Sequence, residues 1–593
     1  MIERLNAWST RHWRLIVVAF WLGYAAFAIL THLGQIRGFA LGDTDDNMRI
    51  AQVRALLAGQ DWFDLVQHRL DPAHGGANIH WSRLVDLPIA GLILMLRPIL
   101  GGADAERWAA AIAPLLPFLP MLFGLALVTR RLVDRRAVPL LLATMIFAVS
   151  TTGMVQPLRI DHHGWQLALL ALGLAGLADP QRRRGGVVLG LATAASLAIG
   201  LELLIYLALM GGAVVLFWVA DRTERDRMLA YAVSMSGGAA LAFLLFASYA
   251  NRAAVCDALS PVWLSDALVG GAVMAVLAFI KVERWPVRLA LAAGAGAVVL
   301  GFHALAWPNC LERLEGVSPE ATRLWLSHVR EARPIYRHGY DVMALMLGLP
   351  VAALIGYGLL AWRARGDRDL QRRILGVALP AMTALALLFW QTRTGPAAQM
   401  MALPGAIAVA FILAPLAFNS SSALVRVPGT VLAVLVGLGA IVPLVAGQIS
   451  DKPTTKAQKM VNVANRSCPT LRAMHPVALQ PRGVVFTFVD LGPRLISVTH
   501  HDGIAGPYHR NDQAIADVMN AFRGDEAQAH RIIVDEYRSD YLLICPHMST
   551  ATIFESETPK GFYVALTRGK VPAWLAPIDL GPKSPLTMWR VLR

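Results

Sequence analysis

Three carboxylates fall within four positions in the stretch Gly42-Asp43-Thr44-Asp45-Asp46-Asn47-Met48-Arg49. Asp43, Asp45 and Asp46 crowded this closely repel one another unless a cation or a proton lies between them. A helix cap accounts for one of them, because an Asp ahead of a helix starting near Asn47 accepts its free N–H groups. A second cluster reads Arg159-Ile160-Asp161-His162-His163-Gly164-Trp165. Here Asp161 and His163 offer an oxygen and an imidazole nitrogen at the start of an apolar helix, where a cap is again the simpler use of the Asp. Taken together, Asp43, Asp45, Asp161 and His163 read as ligands of one divalent cation. Hard carboxylates suit Mg²⁺ or Mn²⁺, and the imidazole tilts the choice toward Mn²⁺. His162 is expected to point elsewhere.

The elements that must position these residues belong to a membrane protein. Of 593 residues, 56% are hydrophobic and only 16% charged, against roughly 25% charged in soluble domains. The net charge of +14 comes in short Arg and Lys clusters between apolar runs. That distribution fixes membrane topology and does not suggest nucleic-acid binding. Apolar runs near 14–36, 106–129, 137–154, 164–178, 186–201, 203–220, 229–249, 264–280, 288–307, 342–362, 373–390, 397–418 and 427–447 predict about thirteen spans. The first, from Leu15 to Leu33, is too long for a signal-peptide core and reads as a retained span. Leu87–Leu100 is short, contains Arg97-Pro98 and reads as a re-entrant or interfacial helix. Basic clusters at Arg11/Arg14, Arg130–Arg136, Arg182–Arg184, Arg222–Arg227, Lys281–Arg288 and Arg363–Arg373 then share the cytoplasmic side. This arrangement predicts an inner-membrane, multi-pass protein with a cytoplasmic N-terminus. Both acidic clusters fall on the outer, periplasmic face, as do the long loops 37–105 and 308–341.

The chain divides into a membrane part, 1–447, and a periplasmic tail, 448–593. In the tail, Gly483–Leu491, Tyr541–Cys545 and Phe562–Thr567 read as strands, and Asn511–Phe522 and Glu526–Tyr537 as helices, which makes a small α/β domain. Cys256, Cys310, Cys468 and Cys545 all fall on the outer side, where disulfides are permitted. Cys256–Cys310 and Cys468–Cys545 are the preferred pairs; the other connectivities, or four small buried hydrophobes, stay open.

An acidic first outer loop, a second Asp/His motif, about thirteen spans and an outer C-terminal domain resemble the GT-C glycosyltransferase superfamily. The likeness is to the oligosaccharyltransferase catalytic subunits of bacteria and archaea, and it covers residues 1 to about 450. The resemblance implies that a first-loop Asp binds the metal and contacts the acceptor, while Asp161 and His163 supply further ligands. It also implies a functional Glu in the late outer loop, for which Glu331 is the match. An Arg at the donor phosphate is implied as well, for which Arg393, at the end of a span, is the match, joined by Arg159. The tail carries no WWD-type acceptor-reading motif. Polar groups at His80, Trp81 and Arg83, and at Tyr508, His509 and Arg510, are the further substrate contacts expected around the cavity.

The resulting expectation is an inverting, metal-dependent glycosyltransferase. Its donor is a polyprenyl-phosphate or diphosphate sugar, and its acceptor is a periplasmic glycan, lipid or protein. Asp43 or Asp45 deprotonates the acceptor hydroxyl. A flippase or transporter of lipid-linked sugars is the alternative, as is a non-catalytic envelope assembly protein. A transporter calls for charges deep inside spans, whereas here the acidic clusters gather at one face, with Glu202 the exception.

Overall fold

A computed structural model describes residues 2–312, 316–446 and 455–593, and each of the thirteen apolar runs carries helix in it. Among the described residues, eight helices are long and apolar enough to cross a membrane, and His163–Leu177, Leu204–Ala220 and Ala423–Gly437 are shorter apolar ones. The chain is therefore a polytopic helical membrane protein with a small C-terminal α/β domain. The boundary expected at 447/448 lies outside the described residues.

One run departs from a simple span. The stretch 137–154 breaks into Val138–Met145 and Val149–Gly153. Backbone groups freed by a break inside a membrane need new partners, and the helix Gly395–Phe418 supplies them. Gln399 Oε1 accepts from Ser150 N at 2.8 Å, and the Pro396 carbonyl accepts from Thr151 Oγ1 at 2.8 Å. Asp86–Leu100 forms a helix of 15 residues with Pro98 inside it, about 22 Å long and too short to span the bilayer alone.

The basic clusters collect at one end of the bundle. Arg131 pairs with Asp179 (2.8 Å), Arg182 with Glu224 (2.9 Å) and Arg372 with Asp221 (2.9 Å). Arg130 donates to the Thr10 carbonyl near the N-terminus. Helices Arg182–Ile199 and Arg225–Phe246 approach backbone to backbone, and glycines make this possible. A Cβ on Gly186 would sit 2.3 Å from the Arg227 carbonyl, and one on Gly190 would sit 2.0 Å from Ser234 Oγ.

The opposite end carries the loops and the tail. In the first loop, β1 (Val66–Gln67) pairs antiparallel with β2 (Ala77–Asn78). The tail holds β3 (Val484–Phe486), β4 (Asp502–Gly503), β5 (Tyr541–Ile544), β6 (Leu575–Ile578) and β7 (Thr587–Val591) in the order β4-β3-β5-β7-β6. Strands β4, β3 and β5 run parallel, and β7 joins antiparallel to β5 and β6. Phe486, Phe488, Phe522, Phe554 and Tyr563 fill the core beneath it. The expected helices appear as Asp512–Arg523 and as Glu526–His530 running on through 531–536.

Two tail expectations need correction. Phe562–Thr567 is a helix, with Phe562, Tyr563, Val564 and Leu566 all buried. A short apolar run buried on several faces carries no period that separates helix from strand, and Gly569 at φ 80° ends it as glycine ends helices. The strand expected over Gly483–Leu491 stops at Phe486, and a helix begins at Gly492.

The tail's exposed edge is covered by the first outer loop. Leu70 bridges to Gly503 of β4, with Gly503 N donating to Arg69 O (2.8 Å) and Asp71 N to Gly503 O (2.9 Å). Such capping hides an edge that would otherwise template aggregation, and it fixes the tail against the residues that open the acidic loop.

Disulfides join Cys256 to Cys310 and Cys468 to Cys545, and the described residues hold no free cysteine. Denatured, unreduced protein is expected to take up no thiol reagent and to take up four equivalents after reduction. Four reactive thiols without reductant would contradict this pairing.

Candidate functional site

The site begins at a helix N-terminus. Asp43 caps Thr44–Leu57, its carboxylate accepting from Asp45 N at 3.3 Å. Asp45 and Asp46 fall in the first turn, where unpaired N–H groups favour negative charge. Asp46 is fully buried and accepts from Asp161 N at 3.0 Å, which ties the first loop to the second cluster. Asp161 lies one residue ahead of the cap position of His163–Leu177, which His162 holds, and its Oδ1 accepts from His163 N at 3.0 Å. The cap reading thus holds for Asp43 and not for Asp161, and these bonds leave carboxylate oxygens over at both.

Arg159 stands at the junction. Its Nη1 lies 2.6 Å from Asp43 Oδ2 and 3.5 Å from Asp46 Oδ2, and its Nη2 lies 2.8 Å from Asp161 Oδ2. His163 Nδ1 is 3.1 Å from Asp161 Oδ2. Although these pairs are close, Asp46 Oδ2, Asp161 Oδ2 and His163 Nδ1 are buried with no hydrogen bond of acceptable angle. Burial alone would raise Asp43, but Arg159 overrides it and holds the carboxyl below the ordinary range. Asp45 is pushed up to about 8 by burial and by its neighbours Asp43 and Asp161. Asp46 is raised well above the ordinary range by burial, against the pull of Arg159. The structure therefore brings Asp43, Asp46, Asp161 and His163 together around Arg159, with Asp45 in the same electrostatic group.

A small cleft lies beside this cluster. Arg159 and Asp161 line it on the polar side, and Val85, Ile89, Pro114, Pro117 and Met154 form its apolar wall.

His162 turns away. Its Nε2 is 2.8 Å from Glu202 Oε1 and its Nδ1 is 3.5 Å from Arg49 Nη2, while its ring stacks on His163. Glu202 also accepts from Gln166 Nε2 at 2.5 Å. The residue that looked like a charge among spans thus sits in a turn beside the outer cluster.

Several expected substrate contacts hold the fold instead. Arg83 is fully buried; it donates to the carbonyls of Gln52 (3.0 Å) and Asp64 (2.7 Å) and pairs with Asp86 (3.2 Å). Trp81 is buried with the Arg49 guanidinium over its ring (4.5 Å) and the rings of His162 and Tyr508 against it. Tyr508 is buried, and its hydroxyl donates to the Thr44 carbonyl at 2.9 Å, holding the acidic turn from the tail side. Arg494 and Ser497 reach Asn47 Oδ1 at 3.2 and 2.8 Å. His80, His509 and Arg510 gather at Asp257, away from the acidic cluster. Glu331 is exposed on a short turn and meets the Thr392 hydroxyl through its backbone carbonyl. Arg393 is exposed on a separate turn, Thr392–Thr394, where its Nε donates to Gln391 Oε1. Among the described residues, no hydrogen bond or ion pair links either side chain to the acidic cluster.

Asp46, Asp86 and Asp490 were missed as contributors. Asp46 has a sequence signal, being the third carboxylate of a turn whose cap needs one. Asp490 follows strand β3 of the tail, accepts from Thr550 Oγ1 at 2.7 Å, and is raised by burial and by Asp43 nearby. Only the fold places it there.

No sequence-family model and no curated protein sequence matches this chain. Its likeness is to solved structures. The archaeal oligosaccharyltransferase AglB from Archaeoglobus fulgidus, solved with an inhibitory peptide and a dolichol-phosphate, superposes with TM-score 0.64 at 14% identity, over 99% of this chain and 75% of that one. The Archaeoglobus fulgidus oligosaccharyltransferase tethered to an acceptor peptide gives TM-score 0.64 at 16% identity, over 93% and 72%. The complex of that enzyme with zinc and sulfate gives 0.54 at 17%, over 85% and 64%. The chain therefore has the membrane fold that these archaeal oligosaccharyltransferases display.

Proposed function

We propose that this protein is an inverting, metal-dependent glycosyltransferase acting at the periplasmic face of the inner membrane. It moves a sugar or oligosaccharide from a polyprenyl-phosphate or diphosphate donor to a periplasmic acceptor. The observation that carries the reading is the meeting of Asp43, Asp46, Asp161 and His163, from two loops more than a hundred residues apart, beside a cleft with an apolar wall. The similar fold of a protein solved with a dolichol-phosphate and a peptide supports a lipid-linked donor.

The residues fit a divalent cation. The carboxylates of Asp43, Asp46 and Asp161 crowd around the single Arg159, and Asp46 Oδ2, Asp161 Oδ2 and His163 Nδ1, held by close ion pairs without hydrogen-bond geometry, form an oxygen-rich set with one imidazole. Asp43, Asp45, Asp161 and His163 would hold it, with Asp46 in reach. When bound, it supplies Lewis-acid neutralisation of the phosphate leaving group. Arg159, walled into the cleft mouth, adds a fixed positive charge there, and Arg393 adds another from the neighbouring outer turn. Asp45 or Asp43 orients the acceptor hydroxyl and takes its proton as the nucleophile attacks the anomeric carbon from the face opposite the phosphate. Glu331, on a loop next to Arg393, is assigned to the acceptor side. Tyr508, Arg494 and Ser497 hold the acidic turn in place.

Glu202 supports the enzyme over a transporter, because it sits in a turn at the end of the bundle that carries the acidic cluster, paired with His162. Cells lacking this protein are expected to accumulate a polyprenyl-linked sugar on the periplasmic side, readable by mass spectrometry of the lipid extract. Accumulation on the cytoplasmic side would point to a flippase.

A further inference from the structure

His80 in the first outer loop, Asp257 after Cys256, and His509 in the tail offer ligand atoms within 4.8 Å of one another. His509 Nε2 lies 2.6 Å from Asp257 Oδ2, and the rings of His80 and His509 lie 4.4 Å apart. Arg510 takes Asp257 edge-on, Nε to Oδ2 at 2.7 Å and Nη2 to Oδ1 at 2.6 Å. Among the described residues, no hydrogen bond reaches a ring nitrogen of His80, whose only bond is made by its backbone carbonyl to Asn251.

We infer that His80, Asp257 and His509 form a second divalent-cation site, separate from the acidic cluster, which takes Zn²⁺ and fastens the tail to the first outer loop. Two imidazoles and one carboxylate suit Zn²⁺ and disfavour Mg²⁺. A carboxylate has about four lone-pair positions, and an edge-on Arg leaves some of them for a metal. The fourth coordination position falls to water, for which the small cavity that His80 and Asn251 line has room.

The site is placed to stiffen the acidic turn from two sides. His80 adjoins Trp81, whose ring packs on His162, and His509 adjoins Tyr508, whose hydroxyl holds the Thr44 carbonyl. Binding here does not depend on the transfer reaction.

The test uses the full chain in detergent, stripped of metal by chelation and carrying Asp161→Asn to disable the acidic cluster. Titration with Co²⁺ is expected to give the strong visible absorption of a four-coordinate nitrogen-containing site. One equivalent of Zn²⁺ should displace it and raise the melting temperature. An oxygen-rich six-coordinate site absorbs only weakly, so any binding left at the acidic cluster cannot imitate this signal. In the same background, His80→Ala and His509→Ala should each weaken Zn²⁺ binding by more than about 100-fold, the upper range for loss of even an outer partner. Their metal-free melting temperatures report folding. No Co²⁺ band with Asp161→Asn, or a band that survives both histidine variants, would overturn the site and leave an ion-pair latch between His509, Arg510 and Asp257.

Discussion

Asp161→Asn is expected to abolish transfer while leaving the protein folded. The buried Asp161 carboxylate meets both Arg159 and His163, and its Oδ1 accepts from His163 N just ahead of the helix His163–Leu177. Asparagine keeps an amide oxygen that can accept that bond, and the bond from the backbone N–H of residue 161 to Asp46 is untouched. What the substitution removes is the charge. Loss of an outer partner of a metal ligand alone costs about 10–100-fold, so loss of a ligand should lower kcat by more than about 100-fold, with an unchanged melting temperature within a few degrees. Asp43→Asn and Asp45→Asn divide the roles: the base loses turnover and keeps cation affinity, and a pure ligand loses both. Transfer assays paired with Mn²⁺ titration by electron paramagnetic resonance read both quantities. Full activity in Asp161→Asn would remove the cluster from the mechanism.

The second large effect falls on stability. Asp86 is fully buried between two guanidiniums, with Arg49 Nη1 at 2.8 Å and Arg83 Nη1 at 3.2 Å. Both arginines are also fully buried. Asp86→Ala leaves two positive charges without their carboxylate in a site closed to water. Breaking a buried pair this way costs about 3–5 kcal/mol, a large share of a typical total of about 5–15 kcal/mol. The variant should express poorly and melt far below the parent in detergent. Arg83→Met, which keeps the Arg49 pair, should be milder. A parent-like melting temperature for Asp86→Ala would mean that water reaches this site.

Much of this architecture was legible because membranes penalise charge. Carboxylates are costly beside apolar spans, so Asp43, Asp45 and Asp161 stood out, and the basic clusters marked the ends that the structure gathers into one layer. The two disulfides form the pairs Cys256–Cys310 and Cys468–Cys545 that the sequence reading preferred. Other features depend on partners too remote to read. Asp257 meets His509 and Arg510 about 250 residues away, and no local pattern announces that. Arg83 looked like a substrate contact because it follows His80 and Trp81, yet its carbonyl partners lie back at Gln52 and Asp64. Phe562–Thr567 failed for a different reason, since a short, fully buried segment has no polar face to reveal its period. Arg159 was assigned to the donor phosphate; its position inside the carboxylate cluster shows that it first neutralises Asp43, Asp46 and Asp161.

The most direct measurement is transfer by purified protein in lipid vesicles supplied with a radiolabelled polyprenyl-linked sugar extract and periplasmic acceptor material. With Mn²⁺ or Mg²⁺ present, label should pass from the lipid phase to the acceptor with inverted anomeric configuration, and chelation or Asp161→Asn should stop it. Label that instead crosses the vesicle bilayer while still attached to its lipid, with no acceptor glycosylated, would contradict the account and identify a transporter.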